Sequence, residues 1–169
     1  DAVVILLGTN DMIHSAQLKT PEEYARDLSG LLANLSRLKT QIILLTLPPC
    51  VEEKLFERHD RTAYGLLFPN QRIEWANELI RQYASKYHAQ CIDLHAQIRQ
   101  YGGLNPDGVH LDEAASERLA DSIAEFLRGV PSLNKIVCLG DSNTYGVYGK
   151  YSYVDFLIKK RMMKMEYES

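Results

Sequence analysis

A chain of 169 residues has the length of one domain with room for a sizeable core. Its hydrophobic fraction of 46% and charged fraction of 24% are those of an ordinary globular protein and exclude a disordered or fibrous one. A net charge of −3 points away from nucleic acid and anionic membrane as partners, and no apolar run approaches the ~18 residues of a membrane span.

In chain order, residues 2–7 (AVVILL) form a continuous apolar run, the pattern of a strand buried on both faces. Gly8, Thr9, Asn10 and Asp11 follow as a turn. Thr20, Pro21 and Glu23 then supply an N-cap, a proline at the first helical position and a capping-box acid. Tyr24, Leu28, Leu31, Leu32, Leu35 and Leu38 continue at helical spacing. A second strand is predicted at 41–47 (QIILLTL). The stretch 51–69 is the longest irregular segment, charged first and then aromatic; it reads equally as a loop over a site or as a surface excursion. A second helical stripe runs through Ile73, Ala76, Ile80, Tyr83, Ala84 and Tyr87, and a weaker strand at 90–94 (QCIDL). Asp112 is the N-cap of a third helix that stops at Gly129. Residues 135–139 (KIVCL) are a fourth strand, and Val154, Leu157, Ile158, Met162 and Met165 mark a fourth helix.

Strands alternating with helices predict a mostly parallel sheet covered on both faces, with ligands outside the carboxyl ends of the strands. Cys50, Cys91 and Cys138 are odd in number and sit in or beside apolar runs. They read as buried free thiols, which fits a cytoplasmic origin. No secretory leader pattern is visible.

Three carboxyl-end segments carry reactive residues. Ser142 lies in the turn Gly140-Asp141-Ser142-Asn143 after the fourth strand, where a side chain is presented at the sheet edge. The amide of Asn10, after the first strand, can donate to an oxyanion. Asp107 precedes His110 by three residues in NPDGVHL (105–111), close enough to hold the imidazole tautomer that leaves Nε2 free for the proton of Ser142. His14, His59, His88 and His95 lack such an arrangement and read as surface or structural. Each motif alone is weak; together they supply a nucleophile, an oriented base and an oxyanion donor. Two rivals are a metal site built from Asp107, His110, Asp112 and Glu113, short of a second histidine at ligand spacing, and a non-catalytic domain that binds an acylated ligand or a partner.

The segments KIVCLGDSNTYG (135–146), VVILLGTND (3–11) and NPDGVHLDEAA (105–115) resemble the SGNH, or GDSL-type, hydrolases. The resemblance spans nearly the whole chain. It implies a single domain over 1–169 with a flavodoxin-like three-layer α/β/α sandwich, and hydrolysis of a small carboxylic ester without metal or organic cofactor. In it Ser142 is the nucleophile, Asp107 and His110 complete the triad, and Asn10 with the backbone of Ser142 forms the oxyanion hole. The order departs from the family's. Residues 1–128 match its middle and C-terminal part and 135–169 its N-terminal part, as in a circular permutant joined through 129–134. The family's glycine-bearing block and second strand are unassigned. A true permutant, a chain straddling two tandem copies and a lost segment all remain open. Without that strand, 135–139 is an uncovered sheet edge through which the 169 residues are expected to self-associate or to aggregate, and with one oxyanion donor missing their esterase activity is expected to be weak.

Overall fold

The computed structural model describes residues 1–130, 133–146 and 151–167, without side chains from 161 onward. The side chains of Met162 and Met165, and residues 131–132 of the 129–134 connection, therefore lie outside the described residues. Four strands, β1 (Ala2–Leu6), β2 (Gln41–Leu45), β3 (Gln90–Ile92) and β4 (Ile136–Gly140), form one parallel sheet in the order β3-β2-β1-β4. Between and after them run α1 (Thr9–Ile13), α2 (Pro21–Leu35), α3 (Glu52–Phe56), α4 (Pro69–Lys86), α5 (Leu94–Tyr101), α6 (Glu113–Arg128), α7 (Ser142–Tyr145) and α8 (Tyr153–Tyr167). Helices cover both sides of the sheet, the expected three-layer α/β arrangement. Among the described residues no helix is long and apolar enough to cross a membrane.

The helix ends form as their caps dictate. Thr20 Oγ1 accepts from the Glu23 N–H while the Glu23 carboxylate accepts from the Thr20 N–H, closing the capping box of α2. Asp112 accepts from the Ala115 N–H at 2.7 Å and opens α6. Tyr24, Leu28 and Leu32 point into the core, whereas Leu38, beyond the end of α2, is exposed.

The strands are shorter than their apolar runs. Leu47 is buried past the end of β2, where Asn77 brackets it with a bond from its N–H at 2.6 Å and one to its carbonyl at 3.0 Å. The run at 90–94 divides, because the Asp93 carboxylate accepts from the Ala96 N–H and starts α5 at Leu94. The central strands β1 and β2 are buried as expected, but β4 is only half-buried, since among the described residues it has β1 on one side and no strand on the other. The stretch 51–69 is not irregular: it holds α3 and a 3₁₀ turn at Arg61–Tyr64. Its helix lies against the loop of Asp107, where the Val51 N–H donates to Gly108 O at 2.8 Å. All three cysteines are free thiols, yet only Cys50 is buried; Cys91 and Cys138 lie on the edge strands and are partly exposed.

Candidate active site

Ser142 is delivered by β4. A Cβ on Gly140 would overlap Thr144 and approach Leu6 O to 3.0 Å, so glycine alone lets the chain leave the sheet this tightly. Asp141 then folds the turn. Its carbonyl accepts from the N–H groups of Thr144 and Tyr145, and its carboxylate accepts from the Asn143 N–H at 3.1 Å. Ser142 is the first residue of α7, so its own N–H lies outside the helical ladder.

Asp107 and His110 share one loop between α5 and α6. Gly108 adopts φ 74° there, and a Cβ on it would press within 2.7 Å of the Val51 side chain. Asn105 ties the loop shut, its N–H donating to His110 O and its amide to Leu111 O, both at 2.8 Å. One Asp107 oxygen accepts from the N–H groups of Val109 and His110, at 3.1 Å each. The other faces His110 Nδ1 at 2.5 Å. His110 Nε2 then stands 2.8 Å from Ser142 Oγ. The three residues picked from sequence are thus joined in one hydrogen-bonded chain.

Asn143, a neighbour that sequence reasoning left without a role, locks the two segments together. It is buried, and its Oδ1 accepts from the Leu111 N–H at 2.9 Å. Arg58 was also missed. Its guanidinium donates to Asp107 O at 2.8 Å and lies 3.8 Å from the Asp107 carboxylate. No periodicity marks such a contact, because the two residues meet only through the fold.

The two carboxyl groups of the site differ. Burial alone would raise the pKa of Asp107, but the bonds from the His110 ring and from the N–H groups of Val109 and His110 outweigh it and hold the carboxyl below its ordinary range. Asp141 is pushed the other way, first by burial, and its Oδ2 is buried without a hydrogen-bond partner.

Asn10 stands exposed in α1, after β1, one strand over from Ser142. No hydrogen bond joins its side chain to the other three residues. The turn before it is shaped by Gly8, whose φ is 116° and whose missing Cβ leaves room for the Tyr24 ring. Tyr24 Oη donates to Leu7 O at 3.1 Å. Among the remaining histidines, His95 is buried and bonded to Asn77 and Leu47 O, and His14 packs edge-on against His59. The metal reading of Asp107, His110, Asp112 and Glu113 is not supported. Asp112 is spent on capping α6, and among the described residues no three His, Cys, Asp or Glu side chains converge on a cation position.

Beside this site an open groove of about 780 Å³ follows the outer side of β4 up to Gly140, Asp141 and Thr144, with Val154, Leu157 and Ile158 of α8 as its far wall.

Two solved structures share this architecture. The lipase/acylhydrolase from Enterococcus faecalis superposes with a TM-score of 0.63 at 24% identity, over 76% of this chain and 62% of its own. An alpha/beta hydrolase enzyme from the metagenome of Lake Arreo, Spain, superposes with a TM-score of 0.51 at 23% identity, over 79% of this chain and 60% of its own. The chain therefore matches less than two thirds of the length of either. No curated protein sequence matches. The model of the GDSL-like lipase/acylhydrolase family matches residues 1–118, which include Asn10, Asp107 and His110 and stop short of Ser142. A family match across most of the chain establishes that the chain belongs to the GDSL-like lipase/acylhydrolase family.

Proposed function

We propose that the chain hydrolyses a small carboxylic ester by a Ser-His-Asp mechanism through an acyl-enzyme. The observation that carries this reading is the continuous chain Asp107 Oδ2–His110 Nδ1 and His110 Nε2–Ser142 Oγ, at 2.5 and 2.8 Å. Asp107 accepts from Nδ1–H and so leaves Nε2 unprotonated. Ser142 Oγ attacks the ester carbonyl carbon as its proton passes to Nε2. Collapse of the tetrahedral intermediate expels the alcohol, which leaves with that proton. Water then attacks the acyl-enzyme with His110 again as base, the acid is released, and Ser142 recovers its proton. The Ser142 N–H and the Asn10 amide are the assigned oxyanion donors. Acetylated sugars, aryl esters, lysophospholipids and thioesters all present the group this chemistry needs. On this reading one site is written along the chain in rotated order, its nucleophile strand last. A fluorophosphonate probe is expected to label Ser142 and nothing in Ser142→Ala, which should lose p-nitrophenyl acetate hydrolysis by up to about 10⁶-fold with its fold intact. A Ser142→Ala variant that kept a tenth of the activity would overturn the assignment.

A further inference from the structure

His110 and Ser142 come from different segments, and the bond between them does not last through the reaction. In the free protein Ser142 Oγ lies 2.8 Å from His110 Nε2. Once Oγ carries an acyl group it has no proton to donate, so that bond is gone when the same ring must activate water. Whatever then keeps the imidazole in place has to be a contact without a reacting atom.

Asn143 makes one. It is the second residue of α7 and 4% exposed, although it directly follows the serine presented at the sheet edge. Its N–H is taken by Asp141 Oδ1 at 3.1 Å, which fixes the turn from which its side chain leaves. Its Oδ1 accepts from the Leu111 N–H at 2.9 Å in a buried bond. That N–H belongs to the peptide group joining His110 to Leu111. The other end of the same group, His110 O, accepts from the Asn105 N–H at 2.8 Å. Leu111 is held further, since its own carbonyl accepts from the Asn105 amide and it bridges to Leu104. The peptide plane behind the imidazole is thus clamped at both ends, once within its own loop and once to the residue next to the nucleophile. A buried bond to a backbone N–H is costly to lose, because no water takes the place of the acceptor.

We propose that Asn143 is the positioning residue of deacylation, holding His110 against the acyl-enzyme while Ser142 has no proton to share; the proposal rests on the ester-hydrolase reading. In that step water adds to the acyl carbon as its proton passes to His110 Nε2. The tetrahedral intermediate then breaks its bond to Ser142 Oγ, which takes the proton, and the acid leaves. During acylation the Ser142–His110 bond aligns the pair by itself; during deacylation the Asn143–Leu111 bond does. A misplacement of about 1 Å at such a moment costs up to about 100-fold in rate.

The test follows acetyl onto and off Ser142 with p-nitrophenyl acetate, by stopped-flow release of p-nitrophenolate and by rapid-quench mass spectrometry of the protein. Asn143→Ala is expected to lose acetyl from Ser142 at least about tenfold more slowly than wild type, with kcat and KM falling together and kcat/KM kept within about threefold. Asn143→Asp keeps an oxygen for the Leu111 N–H and is expected to restore most of the deacylation rate. Asn143→Ser, whose oxygen stops short of that N–H, repeats the test if the alanine variant does not fold. A wild-type deacylation rate in Asn143→Ala or Asn143→Ser overturns the proposal and leaves the ester-hydrolase reading standing. So does a loss of kcat/KM as large as that of kcat, the mark of a residue that only supports the fold, or an Asn143→Asp variant as slow as Asn143→Ala. A wild-type chain that takes up no acetyl on Ser142 removes both.

Discussion

At the scale of single residues, the site holds two carboxyl groups with opposite tasks. Asp107 is stabilised as an anion by His110 and two N–H groups, so its folded pKa lies below 3.8. The stability it lends is present above that value and fades as pH falls through the depressed one. Asp141, raised by burial, opposes folding once it ionises. Asp141→Asn keeps an oxygen to accept from the Asn143 N–H and removes the buried charge. Urea unfolding of dilute protein is expected to show Asp141→Asn more stable than wild type at pH 7, the difference closing below about pH 4 as Asp141 becomes neutral in both the folded and the unfolded chain. Activity should follow the imidazole that Asp107 orients. Asp107→Asn should lower kcat/KM by about 10⁴-fold and His110→Ala by more, because a misdirected imidazole is still a base. A His110→Ala variant that kept a tenth of the wild-type kcat/KM would remove histidine as the base. That Ser142, Asp107 and His110 meet was legible because each sits at a turn at the carboxyl side of the sheet. Arg58 was not, since its partner lies 49 positions away and any surface helix carries such an arginine.

At the scale of elements, caps and apolar stripes read true where one local rule decided the outcome, as at Thr20 and Asp112. They read less well where a neighbour decided. An apolar run such as 135–139 looks the same whether one side of the strand is paired or both, so the half-burial of β4 was not written in its composition. The division of 90–94 turned on Asp93 acting as a cap rather than a strand residue. The turn from β1 into α1 shows how an element is held by another far along the chain. Gly8 sits at positive φ with the Tyr24 ring where its side chain would be. Gly8→Ala combines backbone strain with overpacking and is expected to cost about 2–4 kcal/mol in urea denaturation. Tyr24→Phe, which loses only the bond to Leu7 O, should cost about 1 kcal/mol. Equal effects of the two would show that the ring does not constrain Gly8.

At the scale of the whole molecule, the α/β class was legible from alternation alone, and the sheet order puts the last strand beside the first. No pattern in sequence states that adjacency; here it followed from matching motifs that only make sense side by side. It also sets a calendar. Synthesis runs from the amino end, so Asn10, Asp107 and His110 leave the ribosome before Ser142. A nascent chain can pair β1 with β2 and β2 with β3 while the outer side of β1 waits for residues 136–140. Until those arrive, His110 has the Asp107 carboxylate at Nδ1 and no Ser142 hydroxyl at Nε2. Residues 136–140 thus act as a key: a ribosome that stalls before them leaves β1, β2 and β3 paired and a loop whose histidine has no serine beside it.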